Sequence, residues 1–305
     1  MNKIVIVGCG NVGMAYAYSL VVSGAAVDEL VLIDINKQKA EGEVLDLYHA
    51  LTYAPKTMKI KCGEYSNCKG ADIVCICAGV GQKVGETRRD LLSRNVNVFK
   101  SIITEINKTK FAGVYLIATN PLDVLTYATM KLSGFKPSKV LGTGTTLDTA
   151  RLKYHIGKKL KVSPKEIHAY VLGEHGDSEF VAWGNATFGG NLCADYFSKK
   201  EMEIISNDVR TSAYDIINKK GNTSYGIGMC LLKITNAIIH NQKTVLTVSS
   251  YDAKNDCYFS KPVIVGKSGV VKELYIKLND SESKKLENSI NSIKNDIKNV
   301  GLNNC

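Results

Sequence analysis

Lys3-Ile4-Val5-Ile6-Val7-Gly8-Cys9-Gly10-Asn11-Val12-Gly13 is a β-branched run that breaks into glycines spaced G-x-G-x-x-G, and a helical stretch over 14–23 follows, ended by Gly24. The glycine spacing alone is common. Between a strand and a helix it lets a pyrophosphate approach the helix N-terminus, where backbone N–H groups favour an anion. A second apolar strand, Glu29–Ile33, ends in Asp34, a carboxylate placed to accept ribose hydroxyls and repel a 2′-phosphate. The unit predicts a dinucleotide site formed by Gly8, Gly10, Asn11, Val12, Gly13 and Asp34, with NAD preferred over NADP. Asp34 can also cap the helix expected over 37–50, and the two roles are compatible.

Residues 72–77, 114–118 and 139–141 read as further apolar strands, separated by helical stretches. This alternation predicts an α/β fold, a Rossmann-type doubly wound parallel sheet, whose ligands lie at the carboxyl ends of the strands. From residue 165 the pattern becomes α+β: an apolar run over 167–172, helices within 199–240, strands near 244–251, 262–266 and 270–278, and a helix over 281–298. The expected division is a NAD-binding domain, 1–142, and a catalytic, substrate-binding domain, 143–305. In the last helix, Leu286, Ile290, Ile293 and Ile297 recur at helical spacing, which reads as packing.

Three segments at strand ends carry chemistry. Gly79, Gly81 and Gly85 lie in a long connection that ends in Arg88, a segment able to close over a site and deliver a fixed cation. After 139–141 comes Gly142-Thr143-Gly144-Thr145-Thr146-Leu147-Asp148-Thr149-Ala150-Arg151, with Thr145 or Thr146 placed to cap a helix. Asp148 and Arg151 share a helical face, either as a surface ion pair or as a carboxylate fork beside an acid that orients a histidine. Gly173-Glu174-His175-Gly176-Asp177-Ser178-Glu179 sets a histidine between glycines after an apolar run. Its imidazole suits acid–base work, against the plainer reading of a polar surface loop. Glu174, Asp177 and Glu179 are nearby candidate acids for the histidine.

The formal net charge is +10, from 34 Lys and 5 Arg against 29 Asp and Glu. The lysines are spread among Asn and Glu on helices, which describes a solvated surface better than a nucleic-acid footprint. A basic NAD-binding protein that contacts nucleic acid is the competing class, and it requires steeply salt-dependent binding. No apolar run is long enough to span a bilayer, and the first strand leads into a glycine turn instead of a cleavage site, so a cytoplasmic location with no membrane partner is expected. Nine cysteines, an odd number scattered through apolar segments, read as reduced core thiols. Cys62, Cys68, Cys75 and Cys77 lack paired C-x-x-C spacing, so no metal is expected.

Together the glycine turn with Asp34, Gln82-Lys83-Val84-Gly85-Glu86-Thr87-Arg88, Leu147-Asp148-Thr149-Ala150-Arg151 and the His175 heptapeptide resemble the L-lactate and malate dehydrogenase family, over essentially the whole chain. The resemblance implies hydride transfer between NAD and a 2-hydroxy acid, with His175 as proton donor and acceptor and Asp148 holding it. It makes Arg151 the fork for the substrate carboxylate, Arg88 the loop arginine that polarises the carbonyl, and Asn120 a contact to substrate and nicotinamide. Gln82 matches the position facing the substrate's variable end, where glutamine accompanies lactate and arginine malate. A second substrate carboxylate would be desolvated there without a paired cation. Thr223 matches a position where threonine also goes with lactate, and Ile227 one that lies against the nicotinamide. The substrate pair implied is L-lactate and pyruvate, with malate dehydrogenase as the alternative, and Lys83 is a neighbouring cation that a dicarboxylate can use poorly.

Val84 departs from the proline common in this loop, and Thr143 from a common serine. The resemblance is to bacterial members and implies a homotetramer. Lys153 and His168 match positions where some bacterial relatives bind fructose 1,6-bisphosphate. There lysine replaces an arginine and loses its bidentate fork, which implies weaker activation if any.

Overall fold

The computed structural model describes residues 2–81, 85 and 88–302, with only the backbone of Arg88. Gln82, Lys83 and Val84 and the side chain of Arg88 lie outside the described residues.

The first half runs β1 (Lys3–Val7), α1 (Asn11–Val22), β2 (Glu29–Ile33), α2 (Lys37–Leu51), β3 (Lys59–Cys62), β4 (Ile73–Ile76), α3 (Arg88–Asn107), β5 (Val114–Ile117), α4 (Leu122–Ser133) and β6 (Val140–Gly142). The second half runs α5 (Thr146–Leu160), β7 (Ile167–His168), β8 (Val171–Leu172), β9 (Phe180–Val181), β10 (Thr187–Phe188), β11 (Asn191–Leu192), α6 (Lys199–Lys220), α7 (Tyr225–Ile239), β12 (Thr244–Leu246), β13 (Ser249–Asp252), β14 (Cys257–Ser260), β15 (Val263–Gly266), β16 (Gly269–Glu273) and α8 (Asp280–Asn299).

Six strands pair in parallel in the order β3-β2-β1-β4-β5-β6, so the strand order reverses between β1 and β4, where a crevice opens at the carboxyl ends. Alternation along β1 fills both faces. Ile4 and Ile6 join a core with α1, α2 and α7, while Val5 and Val7 join one with α3, α4 and α8. Burial on both sides is why these strands are continuous apolar runs. Beyond β6 the sheet gains two antiparallel strands from the second half, β13 and β14. The single strand expected near 244–251 is therefore two: β12 pairs with β15 in a separate sheet, and β13 adds to the main one. The 167–172 run likewise splits, β7 pairing with β10 and β8 with β9.

Helix α1 begins at Asn11, not at Met14, because Gly10 is its N-cap and the last glycine of the turn lies in its first turn. It packs closely on α7: a Cβ on Gly228 would come within 2.7 Å of the Ala15 carbonyl oxygen, and the Tyr16 hydroxyl lies 2.5 Å from that of Thr235.

Candidate functional site

The first wall of the crevice is the glycine turn. Gly8 has φ +105°, and a Cβ there would stand 2.5 Å from the Ala78 backbone nitrogen, so only glycine fits. Around Gly10 a Cβ would meet nothing within 4 Å, and Gly10 caps α1 without a side-chain hydrogen bond. The turn therefore presents an open backbone face at a helix N-terminus, a place that suits a diphosphate.

Asp34, at the end of β2, ties the turn down by accepting the Cys9 N–H at 2.7 Å with Oδ2 and the Asn36 N–H at 2.8 Å with Oδ1. The cap of α2 is Asn36, which accepts from Lys39 at 3.1 Å, so the capping role expected of Asp34 belongs to its neighbour. Each carboxylate oxygen retains acceptor capacity for a ribose hydroxyl. Beside it lies a cavity of about 670 Å³ bordered by Asp34, Tyr65 and the fully exposed Ile35, an apolar edge that fits a purine. Val12 and Ile227, half-buried, pack against the same core from α1 and α7. These residues fit NAD along the carboxyl edge.

The second wall is built from α5 and the loop after β8. Thr145 is the N-cap residue of α5, but its hydroxyl donates to the Val171 carbonyl at 2.5 Å, and Thr146 donates to that of Thr247 at 3.4 Å. Neither makes the expected capping bond, because Thr145 is drawn to β8 and Thr146 to the segment between β12 and β13. Thr149 adds a bond from the Val171 N–H at 3.0 Å, so α5 clamps β8 just ahead of the histidine loop. Gly173, at φ +92°, then turns the chain off the strand, and the Glu174 N–H donates to Ser289 on α8 at 2.6 Å. Helix α8 thus does more than pack, since Ser289 also lies 2.9 Å from Ser178 within the loop.

This frame brings His175, Asp148 and Arg151 together. His175 Nδ1 is 2.8 Å from Asp148 Oδ2, and Arg151 Nη1 is 2.6 Å from Asp148 Oδ1. The Asp148–Arg151 pair is an interior one, with side chains 3% and 11% exposed. From α4, Asp123 Oδ2 accepts the His175 backbone N–H at 2.8 Å, and its Oδ1 accepts the Ser249 hydroxyl at 2.5 Å.

Burial alone would make His175 less basic, but Asp148 outweighs it and raises its pKa to about 9. Burial likewise works against ionised Asp148, yet His175 and Arg151 hold it below the usual carboxylate range. Burial pushes Asp123 up to about 6, with Ser249 and His175 pulling it back. Glu179, the last residue of the loop motif, is pushed to about 9 by burial and by the charge of Asp148.

Asn120 is exposed at the end of β5, and its carbonyl accepts from Asn95 Nδ2 at 3.2 Å. Thr223 is half-buried between α6 and α7. Lys153 lies half-buried on α5, where burial and Lys233 hold its ammonium below the usual lysine range, and His168 is exposed on β7, which packs on α5. Arg88 opens α3, while its side chain and Gln82 lie outside the described residues. Asp123, Ser249 and Ser289 give no local sign of a place in the site, because their partners lie 52, 126 and 115 residues away in the chain. Among the described residues, the group spaced to hold a metal ion is Asp148, His175 and Glu179, and it contains no cysteine. The eight described cysteines are free thiols.

A parallel sheet with a glycine turn at its reversal point, facing a histidine held by a buried carboxylate, defines an α/β dinucleotide-binding oxidoreductase. Residues 2–142 match the NAD-binding domain of lactate/malate dehydrogenase, and 145–302 its alpha/beta C-terminal domain. The chain belongs to the lactate/malate dehydrogenase family. Its relatives include an L-lactate dehydrogenase of Geobacillus sp., 44% identical over 304 residues, covering 96% of this chain and 95% of that one. Another from Halalkalibacterium halodurans is 45% identical over 297 residues and covers 96% of each. Among solved structures, a lactate dehydrogenase from a Medee basin deep-sea metagenome superposes with TM-score 0.95 at 45% identity over 98% of both chains. The ligand-bound minor L-lactate dehydrogenase of Enterococcus mundtii gives 0.96 at 39% identity over 99% of both. No helix among the described residues is long and apolar enough to cross a membrane.

Proposed function

We propose that the chain is an NAD-dependent L-lactate dehydrogenase that interconverts L-lactate and pyruvate, with His175 giving and taking the hydroxyl proton. The observation that carries this reading is the 2.8 Å bond from His175 Nδ1 to buried Asp148. It fixes the ring and leaves Nε2 as the nitrogen that exchanges a proton with substrate. Bound NAD supplies the hydride acceptor. Arg151 touches Asp148 through one nitrogen and keeps further donors of its planar fork for the substrate carboxylate. Arg88 polarises the carbonyl, Gln82 selects the small methyl end, and Asn120 and Thr223 complete the substrate contacts. Gly8, Gly10, Asn11, Val12, Gly13 and Asp34 hold the dinucleotide, and Asn120 and Ile227 border its nicotinamide.

In this reading 1–142 is the NAD-binding domain and 143–305 the catalytic one, in a cytoplasmic enzyme. A homotetramer is supported by exposed apolar side chains on adjoining helices, Tyr18 and Val22 on α1, Leu45 on α2 and Met229 on α7. Lys153 and His168, on packed elements, form a weak fructose 1,6-bisphosphate site, and identical pyruvate saturation curves with and without the bisphosphate would remove it.

The deciding experiment is NADH oxidation followed by absorbance with pyruvate and with oxaloacetate. A kcat/KM in favour of pyruvate is expected, and a preference for oxaloacetate overturns the lactate assignment.

A further inference from the structure

We propose that Glu179 is a positioning residue that keeps its proton at neutral pH and donates it to Asp148. The inference rests on the reading of His175 and Asp148 given above, and it concerns a carboxyl group to which that reading gives no role.

The carboxyl oxygens of Glu179 and Asp148 and a ring nitrogen of His175 all lie within 4.8 Å of one another. When two carboxyl groups share a water-poor site, one of them retains a proton, because the second negative charge is opposed by the first. The partners decide which one. Asp148 has Arg151 on Oδ1 at 2.6 Å and His175 on Oδ2 at 2.8 Å, so it is the carboxylate. Each of its oxygens has a second lone pair, which leaves an acceptor site for a carboxyl O–H. The same trio has the spacing of a metal site, but the guanidinium already occupies Asp148 and opposes a second cation there. A proton shared between the carboxyls satisfies both without adding charge.

Other charges face the group from several directions. From its own loop come Glu174 and Asp177, and from α4 comes Asp123, which bonds the His175 backbone. Across a solvent-open groove, α6 contributes Lys199, Glu203 and Arg210. Helix α8 contributes Glu282 and Lys285 to the same groove. These surrounding charges are three cations and five anions, and Asp148 is the carboxylate whose oxygen shares a 4.8 Å group with Glu179 and His175, so it is the charge that Glu179 answers to.

The consequence is a matter of charge count. With Glu179 neutral, Asp148 ionised, Arg151 cationic and His175 protonated, the four groups sum to one positive charge, which matches the single carboxylate of a 2-oxo acid. Ionising Glu179 brings the sum to zero and weakens attraction for that carboxylate, while His175 and Asp148 remain bonded. The effect falls on KM more than on kcat.

The test compares wild type, Glu179→Gln and Glu179→Ala, and its first readout needs neither cofactor nor substrate. Infrared spectra of the unliganded proteins at about pH 7 should show a protonated-carboxyl C=O band in wild type that Glu179→Gln lacks. In pyruvate reduction, the wild-type to Glu179→Gln ratio of KM should rise about tenfold between pH 7 and about pH 10, as the neutral fraction of Glu179 falls to about one-tenth, with a smaller change in the kcat ratio because ionised Glu179 also raises the pKa of His175. Glu179→Ala, which removes the donor, should lower kcat, and glutamine at the same position should restore it. No band assignable to Glu179 at neutral pH overturns the proposal, and so does a KM ratio that does not change with pH. If wild type fails to reduce pyruvate, the enzymatic reading fails, and the infrared result still decides whether Glu179 carries a proton.

Discussion

Asp123 holds the backbone of His175: its Oδ2 accepts the histidine N–H at 2.8 Å from a helix 52 residues earlier in the chain, while Oδ1 is engaged by Ser249 at 2.5 Å. The ring is thus fixed at one end by Asp148 and the main chain at the other by Asp123. Asp123→Ala leaves a buried N–H and a buried hydroxyl without their acceptor, a change that costs about 1–3 kcal/mol per group. The expected outcome is a lower melting temperature together with a fall in kcat larger than any rise in KM for pyruvate. A variant with normal kcat would show that the main-chain bond is unnecessary for placing the imidazole.

Asp148 sets the pH range in which His175 holds its proton. Pyruvate reduction needs His175 protonated, so its alkaline limb should fall near the histidine pKa of about 9. In Asp148→Asn the opposing effect of burial is no longer outweighed, and the limb should move to lower pH, with loss of turnover at neutral pH. His175→Asn should cost about 10²–10⁴-fold in kcat, the usual worth of a general acid, with NADH binding retained. A pH profile for Asp148→Asn that overlays wild type would mean that Asp148 does not control the histidine's charge.

The same shifts make folding stability depend on pH. His175 is raised from 6.5 to about 9 on folding, so its contribution is fully present below pH 6.5 and is lost as pH rises through 9. The amount is on the order of 3 kcal/mol. Glu179, raised from 4.5 to about 9, acts with the same sign over that window, because ionising it in the folded protein is unfavourable. Urea denaturation of the unliganded protein should give a midpoint that falls from pH 6.5 to 9, and the fall should shrink in His175→Asn. A midpoint that is level across this range would contradict both assignments.

How much of this could be read from the chain depended on whether a residue's partners were local. β1 and β2 have the bounds their apolar runs suggest, since strands buried on both faces are continuous in sequence. β3, whose burial centres on Ile60, and β14, which exists by pairing with β13, give no such local signal. In the site, Asp148 and Arg151 are one helical turn apart, so their pairing is visible as spacing, although spacing could not say that the pair is interior. Asp123 meets Ser249 across 126 residues and Glu174 meets Ser289 across 115, which only the folded chain reveals.

The glycine turn separates fold from binding at two neighbouring positions. Gly8→Ala must place a methyl 2.5 Å from the Ala78 backbone nitrogen at φ +105°, so a marked loss of stability is expected. Gly10 has an ordinary φ of −81° and open space around its Cβ direction, so Gly10→Ala should melt close to wild type. Its methyl would stand instead at the N-terminus of α1, over the amides to which a pyrophosphate is drawn. NADH affinity, followed by fluorescence titration, should fall at least about tenfold, equivalent to about 1.4 kcal/mol, in a protein that remains folded. If Gly10→Ala binds NADH as tightly as wild type, the dinucleotide does not cross the turn at Gly10. A Gly8→Ala protein as stable as wild type would show that the backbone at Ala78 can yield.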